Sequence, residues 1–194
     1  MAAVTIRAAT PQDIASIAEI HAHYVLNTVI TFAIDVLSIE QQLEKLQKVQ
    51  AEALPYLVAV TDATNDDAGG DVVGFGYLSG FRGGKAGYRH TVELSLYCHV
   101  PYQGCGVGSK LLRKLLDIME RPGEHSEEFL GGRMRPEDRR VRQIMAVMAV
   151  DTFGRREGLA LKEYYERFGF ELQGHLKQVG HKLGRWYVLT SFSP

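Results

Sequence analysis

The chain has little that would mark it for export, for a membrane or for a polyanion. It carries only two cysteines, Cys98 and Cys105, and its opening stretch MAAVTIRAAT lacks the basic-then-apolar layout of a secretory signal. These absences predict reduced thiols and a cytoplasmic protein. No apolar run approaches the roughly 20 residues that a bilayer-spanning helix needs. The formal net charge is -1, so no global field recruits nucleic acid or an anionic membrane surface. No internal repeat and no linker-like stretch interrupts the 194 residues, which predicts one domain over 1–194 with a full hydrophobic core.

What is present is ordinary for a globular chain, with 45% apolar and 23% charged residues. VTIRAAT (4–10) reads as a strand. Thr10 then offers an N-cap, Pro11 a first helical position and Asp13 the acidic end of a capping box. Ile14, Ile17, Ala18, His21 and Tyr24 follow at helical spacing on one face. Ser38 and Gln41 form a second capping box, predicting a helix over 39–53 with Leu43, Leu46 and Val49 inward. PYLVAVTD (55–62) and DVVGFGYLSG (71–80) are strands separated by a polar loop. In YRHTVELSLYCHV (88–100), Val92, Leu94, Leu96 and Cys98 alternate with Glu93, Ser95 and Tyr97. A helix over 107–120 buries Leu111, Leu112, Leu115, Ile118 and Met119. Residues 121–142 are charged and aperiodic, an inserted surface loop. QIMAVMAV (143–150) reads as a strand covered on both faces. A helix near 157–168 ends at Gly169, and strands at 170–179 and 185–193 close the chain. The fold class is α/β, a mixed sheet with flanking helices in the order β-α-α-β-β-β-α-β-α-β-β.

The densest signal is HVPYQGCGVGSKLL (99–112), a glycine-rich link from strand to helix. A Walker loop fails because Ser109 and Lys110 stand in the reverse order. A dinucleotide fingerprint fails because the third glycine comes one residue early and the loop lies past the chain's midpoint. The remaining pattern is Q-x-x-G-x-G, from Gln103 through Gly104, Cys105, Gly106 and Val107 to Gly108. Glycines let main-chain N–H groups approach an anion, and the helix start adds its positive dipole end. That suits a diphosphate; a bare strand-to-helix turn is the alternative. Metal chemistry finds no support. His21 and His23 lie two apart on a helix and point to nearly opposite sides. Cys105 lacks a base and an orienting partner for a nucleophile's role.

This loop resembles the acetyl-CoA loop of the Gcn5-related N-acetyltransferases. NTVITF (27–32), YRHTVELSLY (88–97), YYERFGF (164–170) and VGHKLGRWYVL (179–189) are similar in order and spacing to segments of its phosphinothricin and methionine sulfoximine acetyltransferase-like subfamily. The resemblance implies a GNAT-like fold, acetyl-CoA as co-substrate with no metal, and a small amino-acid-like amine as acceptor. It implies that Gln103, Gly104, Cys105, Gly106, Val107, Gly108 and Ser109 bind the coenzyme diphosphate. Main-chain groups of Leu96, Tyr97 and Cys98 would meet the pantetheine amides. It implies that Glu93 is the base that removes the acceptor's proton, through water, and that Tyr165 is the candidate acid for the leaving thiolate. Tyr164 competes for that last role, since the subfamily often has histidine at this position. Phe32 would wall the acceptor pocket, with Arg82, Tyr88 and Arg89 near the acceptor carboxylate. A homodimer is also implied. Gly158 stands where the family often has asparagine, and Val188 where the subfamily has an acidic residue. Acetylation of another amine (a polyamine, an aminoglycoside or a protein N-terminus), or acyl-CoA sensing without turnover, are the alternatives.

Overall fold

The computed structural model of the chain describes residues 3–62, 70–83, 85–150 and 160–194. Its strands and α-helices are β1 (Val4–Ala8), α1 (Ile14–Asn27), α2 (Ile39–Ala51), β2 (Tyr56–Thr61), β3 (Val72–Gly80), β4 (Thr91–Cys98), α3 (Val107–Glu120), β5 (Gln143–Val150), α4 (Ala160–Glu166), β6 (Glu171–Lys182) and β7 (Arg185–Ser193). The order of elements is the one the sequence predicts. The seven strands form one mixed sheet in the order β1-β2-β3-β4-β5-β7-β6. The chain divides into two compact units.

The first unit comprises Met1–His21, Leu37–Ser79 and Ser95–Arg140. β1 pairs antiparallel with β2, and β2 with β3 across a register shift at Ala59/Val60. All six β2 residues are buried, as a central strand requires. Pro11–Asp13 is a 3-10 turn and α1 starts only at Ile14. The turn closes through Asp13 N–H to the Thr10 carbonyl at 3.0 Å, while the Asp13 carboxylate reaches back to the Thr10 N–H at 2.8 Å. α2 buries Leu46 and Val49 as expected, and also Gln42, whose amide meets His21 Nδ1 at 3.1 Å. Tyr56 and Tyr77 stack at 4.8 Å, and Phe75 and Tyr97 at 4.9 Å. Tyr97 is therefore buried on the face where alternation puts Glu93 and Ser95, because Phe75 and His21 cover it.

Within 121–142 three short 3-10 turns replace the featureless surface loop. Leu130 is buried, and the half-buried Arg135 guanidinium donates to the main-chain carbonyls of Glu52 and Arg139. Burying one leucine and satisfying carbonyls with an arginine tethers a segment whose composition alone reads as solvated.

The second unit comprises Ala22–Val36, Gly80–Leu94 and Val141–Pro194. β4 runs parallel to β5, with Thr91 opposite Gln143 through Leu94 opposite Ala146. β5 pairs antiparallel with β7. In β5, Ile144, Ala146 and Met148 are buried while the residues between them are half-buried, so one face is fully covered rather than both. β6 and β7 form a hairpin closed by Leu183 and Gly184, both left-handed at φ 50 and 75, the backbone that a two-residue hairpin favours. β6 extends past 179 because a bulge at Lys177–Val179, with Gln178 at φ 53, lets pairing resume at Gly180. Tyr165 packs against Phe170 and Phe192, and Gly169 ends the α4 segment at φ 81. Residues 157–159 of the predicted helix, Gly158 included, lie outside the described residues.

Candidate active site

The first unit holds every residue expected to meet the coenzyme's diphosphate and pantetheine amides. β4 ends at Cys98, and His99 N–H still bonds to the Val73 carbonyl at 2.9 Å. Pro101 then starts a 3-10 turn over Val100–Tyr102. Gln103, Gly104, Cys105 and Gly106 are exposed. Gly104 and Gly106 sit at φ 74 and 82, and a Cβ on either would meet nothing within 4 Å. The backbone conformation, not crowding, therefore requires glycine at both. Gly106 is the N-cap of α3 and supplies no capping side chain. Its carbonyl accepts the Lys110 N–H at 3.0 Å, so the N–H groups of Val107, Gly108 and Ser109 precede the first intrahelical bond. The result is a cradle of main-chain N–H groups with the helix dipole behind it.

The cradle is rigidly backed. Val107, 2% exposed, packs beside Gly74 of β3, where a Cβ would come to 3.0 Å from Val107 Cγ1 and from the Tyr97 carbonyl oxygen. Gly74 thus lets the α3 start lie close on the sheet, a role that no local pattern in the sequence signals. Cys98 is half-buried, and burial pushes its thiol up to about 11, slightly offset by the Gly108 N–H. It is an inert thiol at neutral pH.

The second unit holds every residue expected to act on the acceptor, and also Tyr165 and Tyr164, the candidates for the thiolate's acid. Glu93 stands mid-strand on β4 opposite Met145, half-buried. Tyr165 is 6% exposed within its aromatic cluster. Tyr164 packs on Phe168 at 5.2 Å. Arg82 lies in a short turn after β3 with φ 47 and ψ 46, a left-handed conformation that costs a non-glycine residue about 1–2 kcal/mol. Its exposed guanidinium has no hydrogen bond or ion pair among the described residues. Tyr88 meets Phe81 edge-on at 5.4 Å, and Arg89 donates to the Ala86 carbonyl at 3.3 Å. Phe32 follows α1, with its ring 6.3 Å from that of Tyr187 and directly over Gly180. Among the described residues no group of three or more His, Cys, Asp or Glu side chains is placed to hold a metal ion. No described helix is long and apolar enough to cross a membrane.

Residues 30–130 match the acetyltransferase (GNAT) family. The chain is 29% identical to an L-methionine sulfoximine/L-methionine sulfone acetyltransferase of Salmonella typhimurium, over 96% of this chain and 91% of that protein. It is 31% identical to a phosphinothricin N-acetyltransferase of Alcaligenes faecalis, over 95% of this chain and 78% of that protein. Its fold is similar, with a TM-score of 0.78 at 29% identity, to the yncA protein of Salmonella typhimurium solved with its cofactor acetyl-CoA, covering 99% of this chain and 93% of that one.

Proposed function

The chain belongs to the acetyltransferase (GNAT) family, and on that premise we propose that it moves the acetyl group of acetyl-CoA to the amine of a small amino-acid-like acceptor of the methionine sulfoximine or phosphinothricin type. The single observation that carries the coenzyme assignment is the open pair of left-handed glycines, Gly104 and Gly106, at the start of α3. A diphosphate fits that cradle, since the chain there exposes main-chain N–H groups and no side chain that would fill the space. The acceptor class is supported by the likeness to acetyltransferases of amino-acid analogues and by Arg82, which has no hydrogen bond or ion pair among the described residues and suits a carboxylate.

When bound, acetyl-CoA supplies an acetyl group activated as a thioester. Gln103 through Ser109 hold its diphosphate, and the main chain of Leu96, Tyr97 and Cys98 meets its pantetheine amides. Arg82, with Tyr88 and Arg89, orients the acceptor carboxylate, and Phe32 bounds its side chain. Glu93 takes the proton from the acceptor's ammonium, so that the nitrogen lone pair is free to attack the acetyl carbon. The C–N bond forms as the C–S bond breaks, Tyr165, a phenol with an ordinary pKa near 10, donates a proton to the leaving sulfur, and the nitrogen releases its second excess proton to solvent, from which the phenolate is reprotonated. Direct transfer in a ternary complex needs no covalent enzyme intermediate. The exposed Leu172, Leu176, Val179 and Trp186 of the β6–β7 hairpin support self-association as a homodimer, and the sequence supports a cytoplasmic setting.

Thiol release from acetyl-CoA across free amino acids and their sulfoximine and phosphinate analogues tests the reading. Release with an amino-acid-like acceptor and not with polyamines is expected. In Glu93→Gln, kcat should fall by about 10²–10⁴ while coenzyme affinity holds; unchanged turnover removes Glu93 from the chemistry.

A further inference from the structure

Lys182, at the end of β6, is only 4% exposed. A lysine so placed ordinarily faces a carboxylate, yet Lys182 forms no ion pair among the described residues. Its ammonium instead donates to two main-chain carbonyls, Thr31 at 2.7 Å and Tyr24 at 3.5 Å. Tyr24 lies in the last turn of α1, where carbonyls lack helical partners and the dipole's negative end favours a cation. Thr31 immediately precedes Phe32.

The segment between those carbonyls is otherwise held by short local bonds. The Thr28 hydroxyl donates to the Tyr24 carbonyl at 2.9 Å and accepts the Ile30 N–H at 3.2 Å. The Thr31 hydroxyl accepts the Ala33 N–H at 3.2 Å. Such hydroxyl turns are weak and exchange readily with water. Two residues before Lys182, Gly180 leaves the space that the Phe32 ring fills. Burial lowers the Lys182 pKa, a cost that an apolar residue of similar volume would avoid if packing were the only need.

We infer that Lys182 is a positioning residue for acceptor recognition: its ammonium pins the main chain on the N-terminal side of Phe32 and holds that ring over Gly180, fixing the wall that the acceptor side chain meets. This rests on the proposed function, in which Phe32 bounds the acceptor pocket. Lys182 itself touches neither substrate; it acts through Phe32.

Steady-state kinetics with acetyl-CoA and L-methionine sulfoximine would compare the wild type with Lys182→Met, Lys182→Arg, Phe32→Ala and the Lys182→Met/Phe32→Ala pair. Lys182→Met should raise the acceptor KM roughly ten- to a hundredfold, the scale of a lost charged hydrogen bond. Coenzyme Kd by calorimetry should stay within about twofold, since none of the coenzyme contacts is altered. Lys182→Arg should recover most of the loss, and in the Phe32→Ala background Lys182→Met should add little. An unchanged acceptor KM, a coenzyme Kd rising in step, or a full effect without Phe32 would each overturn the inference. Should Lys182→Met not fold, Lys182→Leu, which likewise has no donor, carries the same expectations.

A wild type that acetylates no amino-acid acceptor would sink the proposed function, and hydrogen exchange then decides the positioning role separately. The amides of Ile30 and Ala33 should exchange faster in Lys182→Met and return to wild-type rates in Lys182→Arg. Unaltered protection in Lys182→Met would show that Lys182 does not hold the segment.

Discussion

The ring of Phe32 occupies the space above Gly180, where an added Cβ would collide with Phe32 Cε1 and Cζ. Gly180→Ala must therefore displace the ring or the strand. Overpacking of this kind costs about 1–3 kcal/mol, so the variant should melt at lower temperature. If Phe32 bounds the acceptor pocket, the acceptor KM should rise as well while coenzyme Kd stays put. Thermal unfolding and steady-state kinetics read the two effects separately, and a variant with unchanged melting would show that the ring yields freely.

Gly106 tests the cradle. At φ 82 with open space around it, Gly106→Val strains the backbone by about 1–2 kcal/mol and sets a branched side chain where the diphosphate is proposed to lie. Coenzyme Kd should weaken by roughly tenfold or more, on the scale of that strain and the lost main-chain contacts. Gly106→Asn, which tolerates the left-handed region, should weaken it less. Equal affinity in the valine variant would place the diphosphate elsewhere.

Arg82 sets stability against recognition. Its left-handed backbone would relax in Arg82→Gly, which should raise the unfolding free energy by up to about 1 kcal/mol. Removing the guanidinium should at the same time raise the KM for amino-acid acceptors by roughly tenfold or more. Arg82→Ala keeps the strain and should show only the kinetic loss. Acceptor kinetics unaffected in both variants would remove Arg82 from the pocket.

The Asp13 carboxylate gives a pH dependence of folding. Burial by itself would raise its pKa; the Arg7 hydrogen bonds, the Thr10 N–H and hydroxyl and the Arg7 charge outweigh that and hold it below the usual carboxylate range. A group depressed in the folded state contributes stability above its unfolded pKa, near 3.8, and loses it as pH falls through the folded value. Both Arg7 contacts are 2.7 Å, with Arg7 itself 42% exposed in its side chain, so solvent screens part of the pair. Asp13→Asn should lose about 1–3 kcal/mol at neutral pH and show a flatter acid limb below about pH 4 in chemical denaturation. An acid limb identical to wild type would assign the acid sensitivity to other carboxylates.

Local pattern carried the element order, the span of α3 and its buried face apart from Met119, which is only half-buried, because capping residues, helical spacing and glycine runs act over a few neighbours. The same locality explains what stayed hidden. Gln42 reads as a polar surface residue until His21, 21 residues away, is found beside it. Gly74 reads as a weak strand position until Val107 packs against it. Lys182 and Gly180 look like an exposed hairpin until the chain after α1 folds over them. Each of these depends on a contact between segments far apart in sequence, for which strand alternation and helical period hold no information. The strand bearing Glu93 and the glycine-led start of α3 were legible because the strand pattern and the glycine spacing are themselves local.

Trp186 is the chain's single tryptophan, and its indole lies 5.1 Å from the ring of His181 at the hairpin that also carries Lys182. Indole emission from this protein therefore originates at one place in the chain, beside the His181 ring. The hairpin is its own optical reporter: the emission of unlabelled protein, followed while an amine is added, watches the strand end that carries Lys182.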